Sequence, residues 1–148
     1  MANIIERLLE YSNNFTANQL LLAMGTRCYG PPATLDKGVQ ALSVYTRDVI
    51  GIPDAVFVEG SGISRHNRLS VRDMVTVLHH FRPYAHLMSH EGSESYKTGT
   101  LKGVRTRVGY IDIGPEERYC FALFRNRSNQ TTAPIMRQVH RYLSTDRN

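Results

Sequence analysis

The 148-residue sequence lacks long apolar runs, has few cysteines and shows no leader-like N-terminus. No stretch approaches the roughly 20 apolar residues that a membrane-spanning helix needs. The first ten residues, MANIIERLLE, lack the basic segment followed by an apolar segment that marks a secretory signal peptide. Cys28 and Cys120 lie far apart, and Cys120 stands in an apolar, strand-like run. We therefore expect Cys120 to be a small buried hydrophobe rather than a disulfide partner or a nucleophile.

Acidic side chains are also in the minority, because 18 lysines and arginines face 13 aspartates and glutamates, giving a net charge of +5. Such a surface favours an anionic partner, which could be nucleic acid, anionic lipid or an acidic cell-wall polymer. The basic residues are scattered and carry no nucleic-acid-binding signature, so no nucleic-acid partner is expected. Four histidines within residues 79–90 lack a cysteine or carboxylate at ligand spacing, so no metal or other cofactor is expected.

Helical periodicity dominates the first half of the sequence. Apolar residues recur at helical spacing, and Ser70 with Asp73 has the form of a capping box before a further helix. The predicted helices cover residues 2–11, 15–25, 35–50 and 71–82.

The last third of the sequence changes to strand patterns. Three strands are predicted, and a turn at residues 114–117 joins the last two into a hairpin. A further short strand is predicted at residues 55–58, whereas residues 84–93 are predicted to be irregular. The three predicted strands cover residues 94–101, 103–113 and 118–126.

A final helix is predicted after Thr132, with one apolar face. That face consists of Ile135, Met136, Val139, Tyr142 and Leu143. We therefore expect a single α+β domain over residues 1–148, in which helices precede a three-stranded antiparallel meander and a C-terminal helix. A sheet of this size needs helices on at least one face.

The segment EYSNNFTANQ, residues 10–19, separates two apolar helical segments with three small polar residues, Ser12, Asn13 and Asn14. One interpretation is a helix N-cap, because these side chains accept hydrogen bonds from the exposed N–H groups of a first turn. The other is that Ser12 and Asn14 form a catalytic element whose partners lie further along the chain.

A second informative segment is YKTGTLKG, residues 96–103, in a predicted strand. Gly99 has no side chain, which would let a ligand lie close to the strand backbone. Lys97 would supply a fixed cation, and Thr98 and Thr100 would supply hydroxyl groups. The backbone N–H of Thr100 could stabilise a developing oxyanion.

Ser12-Asn13-Asn14 followed by Lys97-Thr98-Gly99 has the form and order of two of the three penicillin-binding-protein motifs, Ser-x-Asn and Lys-Thr-Gly. The segments YSNNFTANQLLL and EGSGISRHNRLS resemble those of the D-alanyl-D-alanine carboxypeptidases of peptidase family S13, the class C low-molecular-mass penicillin-binding proteins. The resemblance runs from about Ile4 to Leu143. It implies a partial transpeptidase-like fold, shared with serine β-lactamases, and the C-terminal part of a penicillin-binding domain.

The resemblance also implies roles for individual residues. Ser12 would shuttle a proton between the nucleophile and the leaving amine, and Asn14 would hydrogen-bond the substrate amide. Lys97 would support Ser12 and the electrostatics of the cleft. Thr98 and Thr100 would hold the terminal carboxylate of D-Ala-D-Ala or of a β-lactam, with the Thr100 N–H as half of an oxyanion hole. A structural turn near the site would consist of Gly60, Ser61 and Gly62.

The sequence also departs from the family pattern. No lysine has a serine three residues before it, so the Ser-x-x-Lys motif that carries the nucleophile and its base is absent. Glu59 replaces the usual aspartate, and the segment between Arg65 and Lys97 is short for the family, which predicts a trimmed loop over the cleft. We therefore expect the C-terminal part of a longer enzyme, inactive by itself because it lacks the nucleophile.

The parent implied by the resemblance is a serine-type carboxypeptidase or endopeptidase, periplasmic or otherwise extracytoplasmic, that acts on peptidoglycan stem peptides through an acyl-enzyme. Its partners would be D-Ala-D-Ala peptides, β-lactams and the N-terminal part of its own domain. Two alternatives stay open. The chain could be a non-catalytic module that binds cell-wall glycan or another anionic partner, or its exposed sheet edge and apolar surface could make it a homodimer.

Overall fold

In a computed structural model, described over residues 1–114, 117–126 and 130–145, the chain forms a helical block followed by an antiparallel sheet and a last helix. The α+β class and the order of the blocks are confirmed. A turn of π-helix over Thr46–Ile50 extends the third helix, and a 3₁₀ turn over Arg82–Leu87 follows the fourth. The helices are α1 (Ala2–Tyr11), α2 (Asn14–Tyr29), α3 (Leu35–Tyr45), α4 (Val71–Phe81) and α5 (Ala133–Thr145). None of these helices is both long and apolar enough to cross a membrane.

The sheet is a meander of four strands, whereas the sequence predicted three. Each strand pairs antiparallel with the next, in the order β1-β2-β3-β4. The strands are β1 (Ser89–Glu91), β2 (Glu94–Leu101), β3 (Val104–Asp112) and β4 (Arg118–Asn126). The extra strand escaped prediction because its three residues are all exposed and carry no alternating apolar pattern.

Two local predictions are wrong. Residues 84–93 are not irregular, since they contain most of the 3₁₀ turn and all of β1. Residues 55–58 form no strand, because only Val56 pairs, with Arg68, and the N–H of Val58 donates to the Asn67 side chain. The predicted turn at 114–117 includes Pro115 and Glu116, which lie outside the described residues.

Close backbone contact holds α2 and α3 together. A Cβ atom added at Gly25 would lie 2.4 Å from the Gly38 nitrogen, and one added at Gly38 would lie 2.6 Å from the Leu21 carbonyl oxygen. Glycine at both positions therefore lets the two helices approach until their backbones touch, which no larger residue permits.

The two faces of the sheet pack against different helices. On the Lys97 face, Tyr110 forms a buried cluster with Leu78 of α4, and its hydroxyl donates to the Leu78 carbonyl oxygen at 2.5 Å. Burying a leucine of this kind stabilises the fold by about 2 kcal/mol. On the other face, Glu94 contacts His140 of α5 at 2.5 Å. Helices thus pack on both faces of the sheet.

The buried face of α5 was partly mispredicted. Met136 is buried, but Tyr142 is 66% exposed. Tyr142 lies about 240° around the helix from Met136 at 3.6 residues per turn, so it cannot face the sheet together with Met136 and His140.

Candidate active site

The break between α1 and α2 is built by Ser12 and Asn13. Ser12 has left-handed backbone angles, φ 51° and ψ 47°, and is the one non-glycine residue with positive φ in the described part of the chain. The Asn13 side chain accepts from the Thr16 N–H at 2.9 Å and caps α2. The cap interpretation of this segment is therefore confirmed for Asn13, whereas Ser12 precedes the cap and Asn14 already belongs to the helix.

Lys97 of β2 contacts Ser12 across the fold. Its ammonium group donates to the Ser12 hydroxyl oxygen, 85 positions away in sequence, and to the Thr98 carbonyl oxygen at 2.7 Å. Burial of the lysine lowers its pKa below the ordinary value of 10.5. The ammonium therefore gives up a proton more readily than that of a surface lysine.

A cleft of about 500 Å³ opens beside this contact. The structure brings the nine predicted site residues to this one cleft, from three separate segments of the chain. Its lining includes Ser12, Asn14, Gly60, Ser61, Gly62, Lys97, Thr98, Gly99 and Thr100. The threonine side chains are exposed and Lys97 is half-buried, so the cleft has an open polar mouth and a more enclosed cationic wall.

The outer edge of β2 is partly open along the cleft. β1 pairs with β2 only from Glu94 to Tyr96, so no described strand pairs with residues 97–101 on the side away from β3. Main-chain donors and acceptors on a free edge can pair with an extended peptide. The same segment therefore offers a cation, hydroxyl groups and a strand edge to one ligand.

One carboxylate organises the turn that forms the opposite wall. Glu59 accepts from the N–H groups of Ser61 at 2.7 Å, Gly62 at 2.9 Å and Ser64 at 3.2 Å, from the Ser61 hydroxyl, and from the Asn67 amide at 2.5 Å. Burial raises the pKa of Glu59, but the donors from Ser61, Ser64 and Asn67 outweigh it, so the net pKa lies below its ordinary value. The sequence indicates Glu59 only as a replacement for the usual aspartate and does not reveal this role.

Two further contacts hold the turn in place. The Gly60 N–H donates to the Asn18 side chain of α2 at 2.8 Å, and a Cβ at Gly60 would lie 2.9 Å from the Ala17 carbonyl oxygen. Past the turn, Arg65 donates to the Lys102 carbonyl oxygen at 2.5 Å. The turn is therefore tied to α2 on one side and to the β2–β3 connection on the other.

Thr106 of β3 is a site residue that no sequence motif indicates. A Cβ at Gly99 would lie 2.5 Å from the Thr106 hydroxyl oxygen, so on this side Thr106 occupies the space that was assigned to a ligand. Thr106 lines the cleft and also an adjoining, larger cleft of about 1460 Å³, which shares Lys97 and Gly99 with it. Only the strand register, which places Gly99 opposite Thr106, reveals this contact.

No metal centre forms among the described residues, because no three of their histidine, cysteine, aspartate and glutamate side chains converge. The chemistry available in the cleft is that of hydroxyl groups, amides and one cation. These groups suit a ligand with a carboxylate and peptide bonds.

Comparisons with known proteins show which family the chain resembles. The model of the D-Ala-D-Ala carboxypeptidase 3 (S13) family matches residues 1–90. The D-alanyl-D-alanine carboxypeptidase DacB of Haemophilus influenzae is 26% identical over 151 residues, which cover 85% of this chain and 32% of DacB. The family match ends before Lys97, so the second motif lies outside it.

Solved structures extend the likeness over almost the whole chain. Penicillin binding protein 4 (dacB) from Haemophilus influenzae superposes with a TM-score of 0.79 at 25% identity, covering 95% of this chain and 39% of that protein. The same protein complexed with a β-lactam gives a TM-score of 0.77 at 24% identity, covering 97% of this chain and 40% of that protein. The predatory endopeptidase Bd0816 from Bdellovibrio bacteriovorus, in complex with the immunity protein Bd3460, gives a TM-score of 0.72 at 18% identity. The match covers 97% of this chain and 42% of that protein.

The helical block, the antiparallel sheet and the closing helix thus define a partial penicillin-binding-protein fold. The chain belongs to the D-Ala-D-Ala carboxypeptidase 3 (S13) family. It spans about a third of the length of the curated relative that it matches.

Proposed function

We propose that this chain forms the C-terminal part of the catalytic domain of a serine-type D-Ala-D-Ala carboxypeptidase or endopeptidase that acts through an acyl-enzyme. The contact between Lys97 and Ser12, in a cleft that also contains Thr98 to Thr100, is the observation that supports it best. The nucleophilic serine and its lysine base would come from residues outside this sequence. The chain alone would therefore be inactive.

Each group of the cleft would have its own role in the reaction. Thr98 and Thr100 would bind the terminal carboxylate of the substrate, and the Lys97 charge would strengthen that binding. Asn14 would hold the substrate amide. Ser12, in contact with Lys97, would pass the proton of the nucleophile to the leaving amine, while the Thr100 N–H stabilises the oxyanion.

The substrates would be peptidoglycan stem peptides ending in D-Ala-D-Ala, and β-lactams would acylate the same nucleophile. Such a reaction takes place outside the cytoplasm, so the parent would be extracytoplasmic. The N-terminal part of the domain would be the principal partner of the chain. Family membership, the fold and the cleft support this proposal together.

Fluorescent penicillin provides the first test, because it marks an acyl-enzyme covalently. The parent protein should be labelled, and the 148-residue chain should not. Stable labelling of the chain alone would show that the nucleophile lies within it and that the assignment of roles is wrong.

A second test examines the cleft in the parent protein. Lys97→Ala should slow acylation by roughly a hundredfold or more, the range expected for loss of a group that assists proton transfer. Lys102→Ala is the matched control, since its side chain lines the larger cleft but not the smaller one, and should change the rate little. Absence of labelling in the parent itself, together with binding to cell-wall glycan, would favour a non-catalytic module on the same fold.

A further inference from the structure

The floor shared by the two clefts contains a hydroxyl group that the proposed reaction does not use. Thr106 of β3 is half-buried and lines both clefts, as Lys97 and Gly99 of β2 do. It lies opposite Gly99 in the β2–β3 pairing, and its Oγ1 is 2.5 Å from the position that a Cβ of residue 99 would take. Thr106 therefore presents a side chain at the point of β2 where the strand itself has none.

The strand geometry places this hydroxyl on the same side of β2 as the cation. Side chains alternate along a strand, so Lys97 and Gly99 share one face of β2. Thr98 and Thr100 share the other face. The register makes Thr106 the diagonal neighbour of Lys97, and such neighbours lie about 7–8 Å apart. A ligand at the edge of β2 thus meets two threonines on one face, and the Lys97 ammonium with the Thr106 hydroxyl on the other.

Packing alone does not explain a threonine at this position. Val104 and Val108 flank Thr106 on the same face of β3, and Phe124 lies opposite it in β4. Valine has a similar shape and suits a strand equally well, whereas a hydroxyl without a partner among apolar groups lowers stability. No described residue forms a hydrogen bond with the Thr106 hydroxyl. The hydroxyl is not sealed off either, because no buried side-chain oxygen of the described residues lacks a partner.

We propose that the Thr106 hydroxyl binds the ligand of the cleft by donating a hydrogen bond to a carbonyl oxygen of a peptide. This rests on the proposed function, in which the same peptide binds Thr98 and Thr100 through its carboxylate. The nearby Lys97 ammonium attracts the lone pairs of the hydroxyl oxygen and so turns the hydroxyl proton towards an acceptor. Thr106 is thus a binding residue and takes no part in the proton transfer.

Thr106→Val in the parent protein tests this role, with the rate of labelling by fluorescent penicillin measured against penicillin concentration. The concentration that gives half of the maximal rate should rise roughly fivefold, as expected for the loss of one net hydrogen bond. The maximal rate should stay nearly unchanged. Thr106→Ser keeps the hydroxyl and should behave like the wild type. A lower maximal rate with an unchanged half-saturating concentration would overturn the proposal.

Two controls separate ligand binding from folding. Thr76→Val is the matched substitution, because the Thr76 hydroxyl donates to the Arg72 carbonyl oxygen within α4 and the residue lines neither cleft. It should leave the half-saturating concentration unchanged. In urea, Thr106→Val should unfold at the same midpoint as the wild-type 148-residue chain or at a higher one. A lower midpoint that Thr106→Ser restores would show a structural role and overturn the proposal.

A parent protein that penicillin does not label would refute the proposed function, and a second measurement then tests Thr106 by itself. Acetyl-D-alanyl-D-alanine is titrated into the 148-residue chain, and binding is followed by NMR chemical shifts. The dissociation constant should be about fivefold higher for Thr106→Val than for the wild type. Equal constants, or no binding by the wild type, would overturn the role of Thr106.

Discussion

The carboxylate of Glu59 should stabilise the wall of the cleft, and Glu59→Gln is the substitution that tests it. The carboxylate receives five donors, three on Oε1 and two on Oε2. Glutamine keeps one accepting oxygen and presents an NH₂ group in place of the other. At least two donors therefore lose their acceptor, whichever way the amide is turned.

At about 1 kcal/mol for each net hydrogen bond, the loss of two hydrogen bonds lowers the free energy of unfolding by about 2 kcal/mol. The free energy of unfolding from urea titrations at neutral pH should fall by that amount, which corresponds to a drop of roughly 1 M in the midpoint. Glu6→Gln is the control with the same change of charge, because Glu6 lies on the exposed surface of α1. It should leave the midpoint nearly unchanged.

A sharper test is how the difference in the free energy of unfolding between the wild-type chain and Glu59→Gln depends on pH. Hydrogen bonds hold the pKa of folded Glu59 below its ordinary value of 4.5. A lowered carboxyl pKa gives stability that is complete above the unfolded pKa and is lost as the pH falls through the folded one. The gap between the wild-type chain and Glu59→Gln should therefore be widest at neutral pH and close in acid below about pH 4.5. A gap under roughly 0.5 kcal/mol, or one that is constant with pH, would refute this account of the turn.

Three further substitutions test the packing. Gly25→Ala should lower the free energy of unfolding by roughly 2 kcal/mol or more, measured in urea, because its Cβ would meet the backbone of Gly38 at 2.4 Å. Glu94→Gln should cost about 3 kcal/mol in the same measurement, since it leaves the largely buried Arg107 guanidinium with only the exposed carboxylate of Glu91, 4.0 Å away. Ser12→Gly should be about 1 kcal/mol more stable than Ser12→Ala in thermal or urea unfolding, because both lose the hydroxyl and only alanine keeps the left-handed strain.

Each of these has a matched comparison. Gln19→Ala changes an exposed position of the same helix as Gly25 and should have little effect. Asp48→Asn removes the carboxylate of an exposed ion pair with Arg47, and should also change stability little because solvent screens such pairs. Equal losses from Asp48→Asn and Glu94→Gln would contradict the importance assigned to burial.

The parts of the fold that the sequence predicted are those with a strong local signal. The Ser70–Asp73 capping box is present as predicted, and three of the strands agree with the predicted ranges within a residue or so. β1 has no such signal, because it is short, exposed and held by pairing with β2 alone. Tyr142 shows the opposite error. Its roughly helical spacing predicted a place on the buried face of α5, whereas its side chain is exposed to solvent.

The residues of the candidate site also differ in whether a local sequence signal reveals them. Motif order was sufficient to name residues that share the cleft, because short polar motifs can be recognised without knowing the contacts between them. Glu59 and Thr106 could not be named in that way. The donors of Glu59 are mostly main-chain N–H groups, which leave no mark on the sequence, and Thr106 reaches the cleft only through its register with Gly99. Contacts made by backbone groups and by strand register need coordinates.

Ser12 shows why the polar interruption in the first helical block cannot be explained by the fold alone. Asn13 already caps α2, and a left-handed residue that merely ended α1 would be better made by glycine, which adopts such angles without strain. A serine there costs about 1 kcal/mol of backbone energy. What serine supplies and glycine does not is a hydroxyl, and that hydroxyl contacts Lys97 of β2. The identity of Ser12 is therefore explained by the cleft, whereas the identity of Asn13 is explained by the helix that it caps.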